Sequence, residues 1–147
     1  DQDLVSQVQG VEILAVDDSP VGLAQVRETV QQLGLTLISA SDGAMALRML
    51  KKWADQGIDV NQKLAMVITD AEMPEMDGYR LTREIRDDPR LKDMFVVLHT
   101  SLSGNFNQAM VEKVGCNGFL SKFEPDKLAL TVQDRLKAYL KQYPRGA

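Results

Sequence analysis

The stretch Val11-Glu12-Ile13-Leu14-Ala15-Val16-Asp17-Asp18-Ser19-Pro20 decides the fold of this 147-residue chain. Its first six residues are apolar apart from Glu12 and rich in β-branched side chains, which is how a strand buried on both faces of a sheet reads. The run stops at Asp17-Asp18, where Ser19 suits a helix N-cap and Pro20 the first helical turn. Leu23, Val26, Val30 and Leu33 then recur at the spacing of one helical face, and Gly34 is placed to end it.

The same unit repeats outward. Residues 36–40 predict a second strand and 43–53 a second helix, with Ala46, Leu47, Leu50 and Ala54 at helical spacing. Residues 63–69 predict a third strand running into Asp70. Met73-Pro74-Glu75-Met76-Asp77-Gly78 forbids its continuation and starts a helix near Tyr79, with Leu81 and Ile85 inward. Residues 95–100 predict a fourth strand, 105–114 a helix ended by Gly115, 118–122 a fifth strand, and 125 to about 143 a last helix. Residues 55–62 read as a surface insertion, His99 as a packing or hydrogen-bonding residue, and Cys116 and Trp53 as packing residues. Strands alternating with amphipathic helices, without hairpin signals, predict an α/β fold: a (βα)5 doubly wound open parallel sheet. In such sheets the reactive crevice lies outside the carboxyl ends of the strands. That edge collects Asp17, Asp18, Asp70, Thr100 and Lys122.

Composition removes whole classes of function. With 17 Lys plus Arg against 21 Asp plus Glu, the net charge of −4 provides no field for a phosphate backbone, so nucleic acid is not an expected partner. One cysteine and one histidine rule out an internal disulfide and a Cys/His zinc site. No uninterrupted apolar run exceeds five residues, as in 64–68, against the ~18 to 20 of a membrane span. The start lacks the cationic flank of a signal peptide, so the expectation is a cytoplasmic chain without membrane insertion. The missing initiator Met fits either a piece of a longer protein or a processed start.

Three carboxylates converging on one crevice repel one another, and a hard divalent cation relieves that repulsion. Mg²⁺ takes oxygen ligands and keeps several waters, so two carboxylates and a backbone carbonyl are a reasonable protein contribution. Lys122 adds a mobile positive charge and Thr100 a hydroxyl. Cation, ammonium and hydroxyl surround a carboxylate where phosphoryl oxygens would sit, which is the setting for an aspartyl-phosphate.

These residues resemble the receiver domain of two-component response regulators: Asp17-Asp18 after the first strand, Asp70 followed by Met73-Pro74-Glu75-Met76-Asp77-Gly78, Thr100 after the fourth strand and Lys122 after the fifth. The resemblance covers about residues 11–140 and implies the flavodoxin-like strand order 2-1-3-4-5. It implies Asp70 as phosphoacceptor, Asp18 as a direct Mg²⁺ ligand, Asp17 as a ligand through water and the backbone carbonyl of Glu72 as a third protein ligand. It further implies that Thr100 binds a phosphoryl oxygen, that Lys122 pairs with the phosphate, and that the rotamer of Phe119 follows the shift of Thr100.

A narrower resemblance lies in Ile85-Arg86-Asp87-Asp88-Pro89-Arg90-Leu91-Lys92, Leu98-His99-Thr100-Ser101-Leu102-Ser103-Gly104 and Lys122-Phe123, which look like the receiver half of CheV-type chemotaxis coupling proteins. It implies a CheA-like histidine kinase and a chemoreceptor coupling complex as partners, and a CheW-like domain upstream. Residues 1–10 would then be linker, 11–143 the receiver and 144–147 a tail. The implied function is a phosphorelay switch acting only on itself, not an enzyme in the ordinary sense. The rival readings are a receiver-fold docking module that is never phosphorylated and an aspartyl phosphatase. A flavin carrier is disfavoured because Asp17-Asp18 would repel its phosphate.

Two positions depart from the family. Phe123 stands where receivers usually carry a proline after a cis bond, and cis before a non-proline costs ~3 kcal/mol. Glu72 adds a carboxylate near the metal and the attacking water. It should therefore modify Mg²⁺ affinity and the rate of dephosphorylation, and equal values of both for Glu72→Gln and wild type would refute that.

Overall fold

The structure, a computed structural model, describes residues 9–101 and 106–144. The elements run β1 (Glu12–Val16), α1 (Pro20–Gln32), β2 (Thr36–Ala40), α2 (Gly43–Asp55), β3 (Leu64–Thr69), α3 (Gly78–Asp87), β4 (Val96–Thr100), α4 (Gln108–Val114), β5 (Gly118–Ser121) and α5 (Pro125–Gln142). All neighbouring strands pair in parallel, in the order β2-β1-β3-β4-β5. Fold class and strand order are those expected from the sequence and its resemblance.

Alternation along the strands splits the core into two layers. Ile13, Ala15, Ile68, Val97 and Leu120 pack under Val26 and Val30 of α1 and under Leu128, Val132 and Leu136 of α5. Leu14, Val16, Val67 and Val96 face the other way, onto Ala46 and Leu50 of α2 and Leu81 and Ile85 of α3, and Leu98 meets Val111 and Val114 of α4. Every residue of β3 and β4 is buried, as the unbroken apolar runs require. Short polar side chains start the helices on time. Ser19, Asp42, Asp77 and Asn107 each accept a hydrogen bond from a backbone N–H of the first turn they precede.

The connection before β3 is more than a surface insertion. Residues Val60–Lys63 make one helical turn capped by Asp59, Val60 is buried, and Tyr139 donates its hydroxyl hydrogen bond to the Gln62 carbonyl. Lys63 ends that turn instead of opening the strand. It pairs with Glu12 at 3.2 Å and lies 4.8 Å from the centre of the Trp53 ring. The α4 helix begins at Gln108, and the expected start at Asn105 lies outside the described residues.

Arg86, on α3, holds the approach to β5. Its guanidinium donates to the carbonyls of Gly115 (2.9 Å), Lys92 (2.9 Å) and Met94 (2.6 Å), and to Asn117 Oδ1 at 2.9 Å. Nothing in helical spacing separates this arginine from its solvated neighbours.

Candidate functional site

The site sits at the carboxyl edge of the sheet because β1, β3, β4 and β5 all end there. The Asp70 N–H donates to the Val16 carbonyl at 2.7 Å, which ties the end of β3 to the end of β1. The carboxylates of Asp17, Asp18 and Asp70 each bring an oxygen into one cluster, all within 4.8 Å of one another. Asp17 and Asp70 are buried and Asp18 is exposed, so the cluster opens to solvent on one side.

Two of the three carboxylates, Asp17 and Asp70, are steered by neighbours. The Ser19 N–H donates to Asp17 Oδ1 at 2.8 Å, while Lys122 Nζ lies 3.0 Å from Asp17 Oδ2 and 3.5 Å from Asp70 Oδ1. Gly22, in the first turn of α1, passes so close that a Cβ there would overlap Asp17 Oδ2 and stand 3.0 Å from Lys122 Nζ. Burial, then the charge of Asp17, pushes the Asp70 carboxyl up to about 6 against the pull of Lys122 and of the Glu72 N–H bonded to it. Proximity of like charges is thus tolerated but not cancelled.

The loop after Asp70 is fixed by its backbone. Gly78 N–H donates to the Ala71 carbonyl at 2.9 Å, and a Cβ on Gly78 would run into the Asp70 carbonyl oxygen. That same oxygen accepts from the Thr69 hydroxyl at 3.0 Å. Glu75 takes the left-handed conformation (φ 67°), a region costly for a side-chain-bearing residue.

Thr100 is buried at the end of β4, and its carbonyl accepts from the Lys122 N–H at 2.8 Å. Phe119, half-buried on β5, tilts against Phe106 with ring centres 4.9 Å apart. Phe123 stands three-quarters exposed (75%) beside Lys122, and Val21, next to Gly22, is 70% exposed. There is no cis peptide bond among the described residues, and Lys122 reaches both carboxylates with Phe123 in place.

Apart from Phe119, which lies within β5, the residues singled out from sequence therefore lie on one edge. Asp17, Asp18, Asp70 and Lys122 converge directly, Glu72 joins through its N–H, and Thr100 is linked to Lys122 through the backbone. Two residues were not singled out. Gly22 reads as an ordinary helix position, and His99 as a packing or hydrogen-bonding residue of the strand; His99 is buried on β4 within reach of the charges of Lys122 and Asp17.

The family described as "Response regulator receiver domain" matches residues 13–133. Chemotaxis protein CheV3 of Helicobacter pylori is 31% identical over 120 residues, covering 79% of this chain and 38% of that protein. A chemotaxis protein CheY homolog of Campylobacter jejuni is 29% identical over 128 residues, covering 86% of this chain and 92% of the relative. Among solved structures, the receiver domain of a sensor histidine kinase from Pseudomonas aeruginosa superposes with a TM-score of 0.72 at 26% identity, covering 87% of this chain and 98% of that one. That structure is described with a magnesium ion coordinated in the active site cleft. The chain spans well under half of the CheV relatives it matches, 38% in each of two.

Proposed function

The chain belongs to the response-regulator receiver family, and on that premise we propose that it is a chemotaxis signalling switch that takes a phosphoryl group from a phosphohistidine of a CheA-like histidine kinase onto Asp70. The observation that carries this is the buried Asp70 carboxylate lying in one cluster with Asp17 and Asp18, with Lys122 bridging Asp17 and Asp70.

The donor set suits a hard cation: carboxylate oxygens alone, one of them raised toward neutral pH by burial and a like charge. Asp18 and Asp70 would hold Mg²⁺ directly, Asp17 through water, and the backbone carbonyl of Glu72 would complete the protein ligands. Bound there, Mg²⁺ supplies positive charge to the equatorial phosphoryl oxygens.

An Asp70 carboxylate oxygen attacks phosphorus and the N–P bond breaks, the electron pair leaving on the imidazole, which takes a proton from water. Lys122 pairs with the transferred group, so its ammonium exchanges a carboxylate partner for a phosphoryl oxygen. Hydrolysis by water later releases inorganic phosphate and restores the carboxylate. Thr100, buried next to this point, would bind a phosphoryl oxygen, and the Phe119 ring would follow, altering the face of α4, β5 and α5.

The extra length of the CheV relatives supports a larger parent protein; a CheW-like domain upstream and the chemoreceptor coupling complex as its setting belong to the same proposal. Residues 1–10 would serve as linker, 11–143 as the receiver and 144–147 as a tail. No helix among the described residues is long and apolar enough to cross a membrane; the proposed setting of the switch, with its kinase, is the cytoplasm.

The test is intact mass after incubation with a small phosphoramidate and Mg²⁺. Wild type should gain a phosphoryl adduct that Asp70→Asn lacks. No adduct at long times would favour a docking module, and unlimited donor turnover a phosphatase.

A further inference from the structure

β4 runs Val96-Val97-Leu98-His99-Thr100, wholly buried, and His99 interrupts it with a polar ring only 2% exposed. Its Nδ1 is buried and has no hydrogen-bond partner. Leaving such an atom unpaired is costly, and an aliphatic side chain like its neighbours' would avoid the cost. Alternation gives the ring a specific address. Val97, two residues earlier, packs into the layer beneath α1 and α5, so His99 faces that side too. Its register partner on β5 is Leu120, in the same layer, and Lys122 lies two residues beyond Leu120. The imidazole therefore lies beneath the lysine. The charged groups acting on it are Lys122 and Asp17, and burial followed by Lys122 holds its pKa down to about 4, so the ring is neutral and one nitrogen keeps a lone pair.

Lys122 holds Asp17 Oδ2 and Asp70 Oδ1, carboxylates of the same cluster that a divalent cation would claim. A cation and an ammonium compete for those oxygens, and an ammonium whose side chain is 15% exposed needs another acceptor when it yields them.

We propose that His99 is a positioning residue for Lys122: its neutral ring nitrogen receives the ammonium when Mg²⁺ occupies the acidic cluster, before any phosphoryl group arrives. This rests on the Mg²⁺ reading given above. The imidazole then stabilises the metal-bound form, in which it gains a hydrogen bond, and burdens the metal-free form, in which its nitrogen is unpaired.

The consequence is a pair of opposite signs. In His99→Leu, Mg²⁺ binding measured by calorimetry should weaken roughly tenfold, the worth of one hydrogen bond to a charged group. Urea unfolding of the same variant in chelator should show stability equal to or above wild type. His99→Gln, which keeps a carbonyl acceptor, should retain Mg²⁺ affinity within about threefold. In ¹⁵N-labelled wild type, the His99 ring nitrogens should shift on Mg²⁺ titration, and an Asp18→Asn control should abolish that response. Unchanged Mg²⁺ affinity in His99→Leu, or ring nitrogens silent to Mg²⁺ that saturates wild type, overturns the proposal while the metal site stands. Wild type that binds no Mg²⁺ overturns the metal reading and this proposal with it.

Discussion

Gly22→Ala is expected to slow phosphoryl uptake by about a hundredfold, the scale of an ångström-sized misplacement of reacting groups, while the chain remains folded. By helix propensity alone the substitution is favourable by about 1 kcal/mol, because glycine is the poorer helix former. The structure reverses its effect on the site. The added methyl would overlap Asp17 Oδ2 and crowd Lys122 Nζ at 3.0 Å. To make room, the Asp17 carboxylate must swing away, giving up the hydrogen bond from the Ser19 N–H at 2.8 Å and the contact with Lys122 at 3.0 Å. Both groups then leave the positions from which they flank Asp70. Adduct formation followed by intact mass, with urea unfolding alongside, separates the two effects. Stability near wild type with uptake reduced about a hundredfold is the expected pair, and uptake at the wild-type rate would mean that the crowding is relieved without moving the carboxylate.

The contrast between Gly22 and Asp17 shows what sequence carries and what it does not. Asp17, Asp18, Asp70 and Lys122 were readable because each follows a β-branched or apolar strand, and parallel strands deliver their carboxyl ends to one edge. That inference needs only strand boundaries and a topology rule. Gly22 needs the distance between a helix turn and a strand end, which no periodicity encodes. Arg86 is similar: it occupies a polar position of α3, yet its guanidinium donates to the nearby carbonyls of Lys92 and Met94 and, far along the chain, to the Gly115 carbonyl and Asn117 Oδ1. The turn at Val60–Lys63 did leave a signal, since Asp59 is a good N-cap and Val60 a lone apolar residue. One turn is too short for an apolar period to register. His99 was identifiable as buried from its strand, but its position beneath Lys122 depends on which way β4 faces and on the register with β5. The strand order itself came from resemblance, because alternation of elements leaves the spatial order of five parallel strands open.

In chelator, Asp70→Asn should become more stable than wild type as pH rises, by up to about 3 kcal/mol at neutral pH, the equivalent of the displacement of Asp70 from its ordinary value. The sign follows from proton counts. Burial first and Asp17 second raise the native Asp70 carboxyl from 3.8 to about 6, so between those values the native state holds more proton than the unfolded chain. Wild-type stability from this group is therefore full below pH 3.8, is lost as pH climbs through about 6, and stays lost above. His99 works oppositely in an overlapping window. Its pKa is depressed from 6.5 to about 4, and its contribution is present above 6.5 and lost as pH falls. Wild type alone would show a shallow sum of the two, whereas the difference between wild type and Asp70→Asn cancels the histidine and isolates the carboxylate. Saturating Mg²⁺ should close most of the gap, because a cation bound to the ionised cluster stabilises wild type by mass action in the pH range where its repulsion is greatest. Parallel stability curves for the two proteins from pH 4 to 7.5 in chelator would show that Lys122, at 3.5 Å from Asp70, already offsets both the burial of the carboxyl and the repulsion of Asp17.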